Sequence, residues 1–226
     1  MLKFFTKGEL MLWIGSVAVI FVSFFGFGGD GYLSLAASIL GVTSLIFNAK
    51  GNPIGPLTMI IFSLMYGAIS YECAYYGEMA TYIGMTLPMS VFALVSWLQN
   101  PYKGNRAQVT VSRLRGKQWA LMVLLTIVVT VAFYFILGAL NTANLIWSTV
   151  SVATSFMAAY LTFLRSPYYA LAYAANDVVL IVLWSIMSMV DRSYLSVLVC
   201  FVVFLVNDLY GFYNWKKMEK AQKTGT

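Results

Sequence analysis

The 226-residue chain contains no histidine, and cysteine occurs only at Cys73 and Cys200. Without histidine the commonest general base is missing, and so is a frequent metal ligand. The two cysteines lie far apart, in or beside apolar segments, with no metal-ligand spacing. Neither a disulfide nor a metal site is expected from them. No nucleophile–base–acid constellation can be assembled, so the chain does not read as an enzyme, and no cofactor is implied. Charge is scarce as well: 10% of residues are Asp, Glu, Lys or Arg, against about a quarter in a solvated globular domain.

What fills the chain is apolar sequence, 61% of it. About 20 apolar residues cross the hydrocarbon core as a helix. Eight such stretches are expected, roughly at 9–28, 31–48, 54–72, 79–99, 118–140, 144–164, 167–190 and 193–215. Glycine and proline mark the joins, as in Lys50-Gly51-Asn52-Pro53 and Ser166-Pro167. Residues 100–117 form one long polar and basic loop, and the last residues form a basic tail. Gly26-Phe27-Gly28-Gly29-Asp30-Gly31 matches a dinucleotide-binding fingerprint in letters only. It follows no strand, so it reads as a loop between two membrane helices.

The basic residues are segregated. Thirteen of the fourteen Lys and Arg fall in alternate gaps between the apolar stretches, at positions 3, 7, 50, 103–117, 165 and 216–223; Arg192 is the exception. The other gaps hold Asp30, Glu72, Glu78 and Asp191. Cytoplasmic loops of membrane proteins carry this excess of cations. The pattern predicts a multi-pass protein of the cell (inner) membrane with both termini cytoplasmic and the first segment retained. The high pI of about 9.3 then points to anionic lipid headgroups rather than nucleic acid.

A weak internal repeat accompanies the helices. Shifted by 118 residues, Tyr66 falls on Trp184, Phe92 on Tyr210, Ala93 on Gly211 and Trp97 on Trp215. Two three-helix units, 31–99 and 144–215, would be joined by a connector helix at 118–140, with 1–30 as an extra N-terminal helix. An odd number of helices per unit requires such a connector if both units are to run the same way. Parallel repeats of this kind form one transporter architecture.

Polar side chains at membrane depth usually line a cavity or pathway. The seventh stretch carries Asn176-Asp177 and the eighth Asn207-Asp208. Tyr169, Tyr173, Asn176, Leu180 and Trp184 share one helical face; Asn207, Tyr210 and Asn214 share another. Aromatic rings beside amides suit a flat heteroaromatic ligand. The hydroxyls at Ser148, Thr149, Ser151, Thr154 and Ser155 read as packing groups, and Trp97 and Trp215 as interfacial belt residues. Asp177 or Asp208 could bind a cation, carry a proton or tie helices together.

The stretch Val206-Asn207-Asp208-Leu209-Tyr210-Gly211-Phe212-Tyr213-Asn214-Trp215-Lys216-Lys217 resembles the C-terminal helix of the PnuC-type vitamin transporters. Tyr75-Tyr76-Gly77-Glu78 followed by Leu87-Pro88-Met89, and Lys117-Gln118-Trp119, resemble two further regions of that family. The resemblance spans residues 31–217. It implies an all-α, eight-helix membrane protein built from 3+1+3 SWEET-like parallel repeats plus the N-terminal helix, with residues 218–226 as a cytoplasmic tail. It also implies facilitated diffusion of nicotinamide riboside, with cytoplasmic phosphorylation trapping the ligand. Relatives carry thiamine or riboflavin.

The family's W-x-x-W-x-x-x-N motif falls here on Tyr169, Ala172 and Asn176. A family glutamine is Ser90, and a family asparagine is Phe62. These changes leave another vitamin or nucleoside-like ligand open. Asn176 and Asn207 are expected to hydrogen-bond the ligand. Tyr169, Tyr173, Trp184, Tyr210 and Tyr66 are expected to stack or gate, and Ser90, Asp177 and Asp208 to add polar contacts. A proton-coupled carrier and a ligand-free membrane scaffold are the rival readings. Assembly into a homo-oligomer is left open.

Overall fold

The computed structural model describes residues 4–28, 31–72 and 76–224. Among them, eight helices are long and apolar enough to cross a membrane. They are α1 (Lys7–Phe27), α2 (Gly31–Ala49), α3 (Ile54–Glu72), a composite Tyr76–Gln99 helix, α6 (Gly116–Ala139), α7 (Leu145–Phe163), α8 (Tyr168–Ser188) and α9 (Leu195–Thr224), which a short 3₁₀ turn precedes. The outer faces are apolar, with Val22, Ile146 and Phe135 all more than two-thirds exposed. Such a surface suits lipid and not water. The connector, α6, buries only Met122, Thr126 and Leu137.

The composite helix departs from a simple span. It consists of α4 (Tyr76–Thr81), one π-helical turn (Tyr82–Thr86) and α5 (Leu87–Gln99). Pro88 sits in the first turn of α5, where its missing N–H disrupts the regular bonding upstream. Pi turns inside α-helices frequently mark functional sites.

Helix contacts repeat between the two halves. In the first, α2 packs on α3 and α3 on α5; in the second, α7 packs on α8 and α8 on α9. The halves meet where α2 touches α9 and α5 touches α7. At the basic end these crossings are fastened by matching hydrogen bonds. Trp97 Nε1 donates to Thr162 O at 2.8 Å and Trp215 Nε1 to Asn48 O at 2.7 Å. Beside them, Ser96 Oγ donates to Phe163 O at 2.8 Å and Asn214 Nδ2 to Ala49 O at 2.7 Å. Trp97 and Trp215 therefore do not form an interfacial belt. They are 1% and 0% exposed and lie against each other with ring centroids 5.5 Å apart.

Two further differences from the sequence reading lie at this end. The loop at 100–117 contains an antiparallel hairpin, β1 (Pro101–Tyr102) and β2 (Asn105–Val109). It bridges the halves: Asn52 Nδ2 donates to Ala107 O, Val109 N to Gly51 O and Ser112 N to Arg165 O. The expected tail is instead a continuation of α9 that folds against the hairpin segment. Gln222 accepts from Val111 N at 2.8 Å and donates to Val109 O at 3.0 Å, and Glu219 pairs with Arg113 and Lys216. Arg165 adds a bond from Nη1 to Ser96 Oγ at 2.8 Å, and partial burial pulls its guanidinium below the ordinary pKa.

Candidate ligand chamber

A chamber of about 110 Å³ lies between the two halves, lined by α2, α3, the α4–α5 helix, α6, α7, α8 and α9. Its aromatic walls are Tyr66, Tyr82, Tyr173, Trp184, Phe201 and Phe204. Tyr66 and Tyr82 pack at 4.8 Å between centroids. Among the described residues, three carboxylic acids, Glu78, Asp177 and Asp208, line it together with Asn176, and no Lys or Arg does. Asp177 and Asp208 stand next to each other across α8 and α9.

Asn176 is held in one orientation. Its Oδ1 accepts from the hydroxyls of Ser151 (3.2 Å), Thr154 (2.8 Å) and Ser155 (3.0 Å) on α7. With the carbonyl end occupied, the amide's donor end is left to face the chamber. Three more buried polar atoms along the wall, Thr142 Oγ1, Asp177 Oδ2 and Trp184 Nε1, have no hydrogen-bond donor or acceptor assigned among the described residues. An unpaired buried polar atom costs about 1–3 kcal/mol, so the Trp184 N–H and the Thr142 hydroxyl await polar partners there, while Asp177 already has Asp208 beside it.

The chamber is asymmetric along the membrane normal. Away from the basic end it adjoins a vestibule of about 290 Å³ at the α6–α7 turn; Gly77, Glu78, Thr142, Ser148, Leu183 and Trp184 line both spaces. Toward the basic end it stops at a packed plug of Tyr169, Trp97, Trp215, Val109 and Met218.

This arrangement matches known proteins along most of its length. The family described as "Nicotinamide mononucleotide transporter" matches residues 31–217. The chain belongs to that family. It is 27% identical over 215 residues to the nicotinamide riboside transporter PnuC of Neisseria mucosa, covering 93% of this chain and 80% of that protein. The nicotinamide riboside transporter PnuC of Haemophilus influenzae is 23% identical over 192 residues, 84% of this chain and 82% of that one. A crystal structure of the vitamin B3 transporter PnuC superposes with a TM-score of 0.81 at 25% identity, covering 96% of this chain and 94% of that one. This family member is thus a membrane transporter and its fold is that of PnuC.

Of the residues singled out by sequence, Asn176, Tyr173, Trp184, Asp177, Asp208 and Tyr66 line the chamber. Asn207 does not. Its Nδ2 donates to Ser16 Oγ on α1 at 2.9 Å and to Val203 O at 2.8 Å. Tyr210 also faces α1, donating to Glu9 Oε1 at 2.9 Å. Neighbouring positions on a helix point about 100° apart, so Asp208 takes the chamber and Asn207 the N-terminal helix. Tyr169 belongs to the plug, 5.0 Å from the Trp215 ring. Ser90 bonds back to Thr86 O and borders a separate gap of about 10 Å³. Cys73 lies outside the described residues, and Cys200 is a buried free thiol.

Sequence reasoning missed Glu78, taken there as a loop charge because the helix was started at Met79. A signal was present: Glu78, Tyr82, Thr86 and Ser90 recur at four-residue spacing along one stripe. The α7 hydroxyls were read as general packing, whereas three of them orient Asn176.

Proposed function

We propose that the protein carries nicotinamide riboside across the cytoplasmic membrane, with both termini inside. The observation that supports this reading best is the lining of the chamber. Aromatic rings, three acids, an oriented amide donor and no basic residue together suit a flat ring that carries positive charge. Nicotinamide riboside is a pyridinium cation with a carboxamide and ribose hydroxyls. A cation is attracted to the faces of Trp and Tyr rings, and acids of opposite sign favour it further. The Asn176 donor would meet the carboxamide oxygen or a ribose oxygen. Tyr173, Tyr66 and Trp184 would stack, and Asp177 and Asp208 would take the charge and hydroxyls. The same lining disfavours nicotinamide mononucleotide, whose phosphate would enter an acidic space with no Lys or Arg to meet it.

Transport would be facilitated diffusion. The units 31–99 and 144–215 would rock about the chamber as parallel repeats, with α6 as connector, and a cytoplasmic kinase would trap the product by phosphorylation. Thiamine, another cationic heteroaromatic, is the nearest alternative ligand; riboflavin, larger and neutral, fits the acids less well. A second reading, proton coupling through Asp177 or Asp208, is favoured by their adjacency. Uptake that follows an imposed pH gradient and loses that dependence in Asp177→Asn would establish it.

The test of ligand class is thermal unfolding of the purified protein with nicotinamide riboside, nicotinamide mononucleotide, thiamine or riboflavin. A ligand at 100 times its Kd stabilises the folded state by about 2.7 kcal/mol. Nicotinamide riboside should raise the Tm and the mononucleotide should not. Stabilisation by the mononucleotide alone would refute the reading.

A further inference from the structure

We infer that Glu78 and Trp184 form a cation-selecting constriction between the vestibule and the chamber, with Glu78 as the specificity-determining charge. The inference rests on the nicotinamide riboside reading above and adds a site of discrimination to it.

Three spaces meet at these two side chains. The chamber, the vestibule and a side pocket of about 70 Å³ bounded by α1, α2 and α9 are each lined by both Glu78 and Trp184. Among the described residues, Glu78 is the one carboxylic acid that lines the vestibule or the side pocket, and neither space is lined by Lys or Arg. Glu78 makes no ion pair or hydrogen bond among the described residues, in contrast to Glu9 and Glu219, each fastened to a lysine. Trp184 is 8% exposed, and its Nε1 has no acceptor among the described residues. A buried indole held for packing alone would normally place this donor on a partner.

Sequence and local geometry explain how the acid reaches this place. Gly77 brings α4 against the α6–α7 turn, where a side chain would collide with Thr142. Glu78 then stands one turn before Tyr82, where the π-helical segment begins and another chamber-lining ring follows. A ligand passing inward from the vestibule meets a carboxylate and an indole before it reaches Asn176. A flat cation gains from both. An anion is repelled by the first and gains nothing from the second. Clefts lined by one sign of charge raise encounter rates for the opposite sign by roughly 10–10³-fold.

The test compares two ligands of nearly the same shape and different charge. Initial uptake of nicotinamide riboside and of its neutral 1,4-dihydro form is measured in proteoliposomes carrying wild-type protein, Glu78→Gln or Glu78→Asp. Glu78→Gln should raise KM for the cation about tenfold and change KM for the neutral form much less, so that the cation-to-neutral ratio of kcat/KM falls by about tenfold. Glu78→Asp should keep the cation preference. An equal effect on both forms, or none on either, overturns the inference. Should wild-type protein move neither compound, the transport reading fails, and the constriction is judged by binding alone. In that case 1-methylnicotinamide, a cation, must stabilise wild-type protein more than neutral nicotinamide does, and Glu78→Gln must narrow the difference. Equal stabilisation of wild-type protein by the two compounds overturns the inference independently of transport and of how well the variant folds.

Discussion

Replacing Trp215 by Phe should loosen the basic end and open the chamber from that side. The indole is fully buried, and its Nε1–H reaches Asn48 O at 2.7 Å. Phenylalanine keeps a ring in the plug but removes the donor. Asn48 O would then lose a buried partner at a place where water does not reach. That carbonyl keeps its bond from Gly51 N at 2.9 Å, so what is lost is one buried hydrogen bond, about 0.5–1.5 kcal/mol. For a chain of this size, each kcal/mol corresponds to a Tm change of roughly 2–4 °C. The unfolding temperature in detergent should therefore fall by about 1–6 °C. Trp97→Phe should do the same, because its bond to Thr162 O is the counterpart across the two halves. The functional readout is chemical access. With Cys73 and Cys200 replaced by serine and alanine, Ser155→Cys places a thiol on the chamber wall. A membrane-impermeant maleimide added from the basic face should label this thiol faster in Trp215→Phe than in the parent. Unchanged melting together with unchanged labelling would show that the plug does not close the chamber.

Other parts of the structure give equally direct expectations. Glu9→Ala removes the acid that joins α1 to Lys50 at 3.1 Å and to Tyr210 at 2.9 Å. Stability should fall by roughly 1–3 kcal/mol, while nicotinamide riboside uptake at a permissive temperature persists, since α1 lies outside the chamber. Gly41→Ala would put a methyl 2.7 Å from Phe204 Cζ, a ring of the chamber wall. Overpacking of this kind costs about 1–3 kcal/mol, and ligand affinity should fall with it; a melting curve and a binding isotherm check both. Gln222→Ala frees the end of α9 from Val109 and Val111, which proteolysis should detect as earlier cleavage within 216–224 with the bundle intact.

The spans were legible because each membrane helix needs a long apolar run, and these runs dominate the chain. The hairpin at 101–109 was not, because its strands are too short and too polar to show a period of two. The extension of α9 past Trp215 was hidden for a related reason. Its Lys216–Thr224 sequence is solvated and charged, and its order comes from Gln222 and Glu219 meeting the hairpin segment, a tertiary contact with no local signature. The chamber was half legible. Spacing along α8 put Tyr169, Tyr173, Asn176, Leu180 and Trp184 on one face; the last four line the chamber, and Tyr169 sits in the plug. On α9 the same reasoning grouped residues by face but could not say which neighbour each face meets. The added helix α1 claims Asn207 and Tyr210 through Ser16 and Glu9. Likewise, Trp97 and Trp215 near helix ends look like belt residues until their indoles are seen bonded across the halves.

The chamber beside Asn176, and not the face of Asn207, is the site on which the whole account depends. The most direct measurement is initial-rate uptake of labelled nicotinamide riboside into proteoliposomes carrying wild-type protein, Asn176→Leu or Asn207→Leu. Wild-type uptake should be saturable. Asn176→Leu should weaken apparent affinity about 10–100-fold, as expected for loss of one to two buried hydrogen bonds to the ligand. Asn207→Leu should retain affinity even if its melting temperature falls. Loss of affinity in Asn207→Leu with full retention in Asn176→Leu would contradict the account.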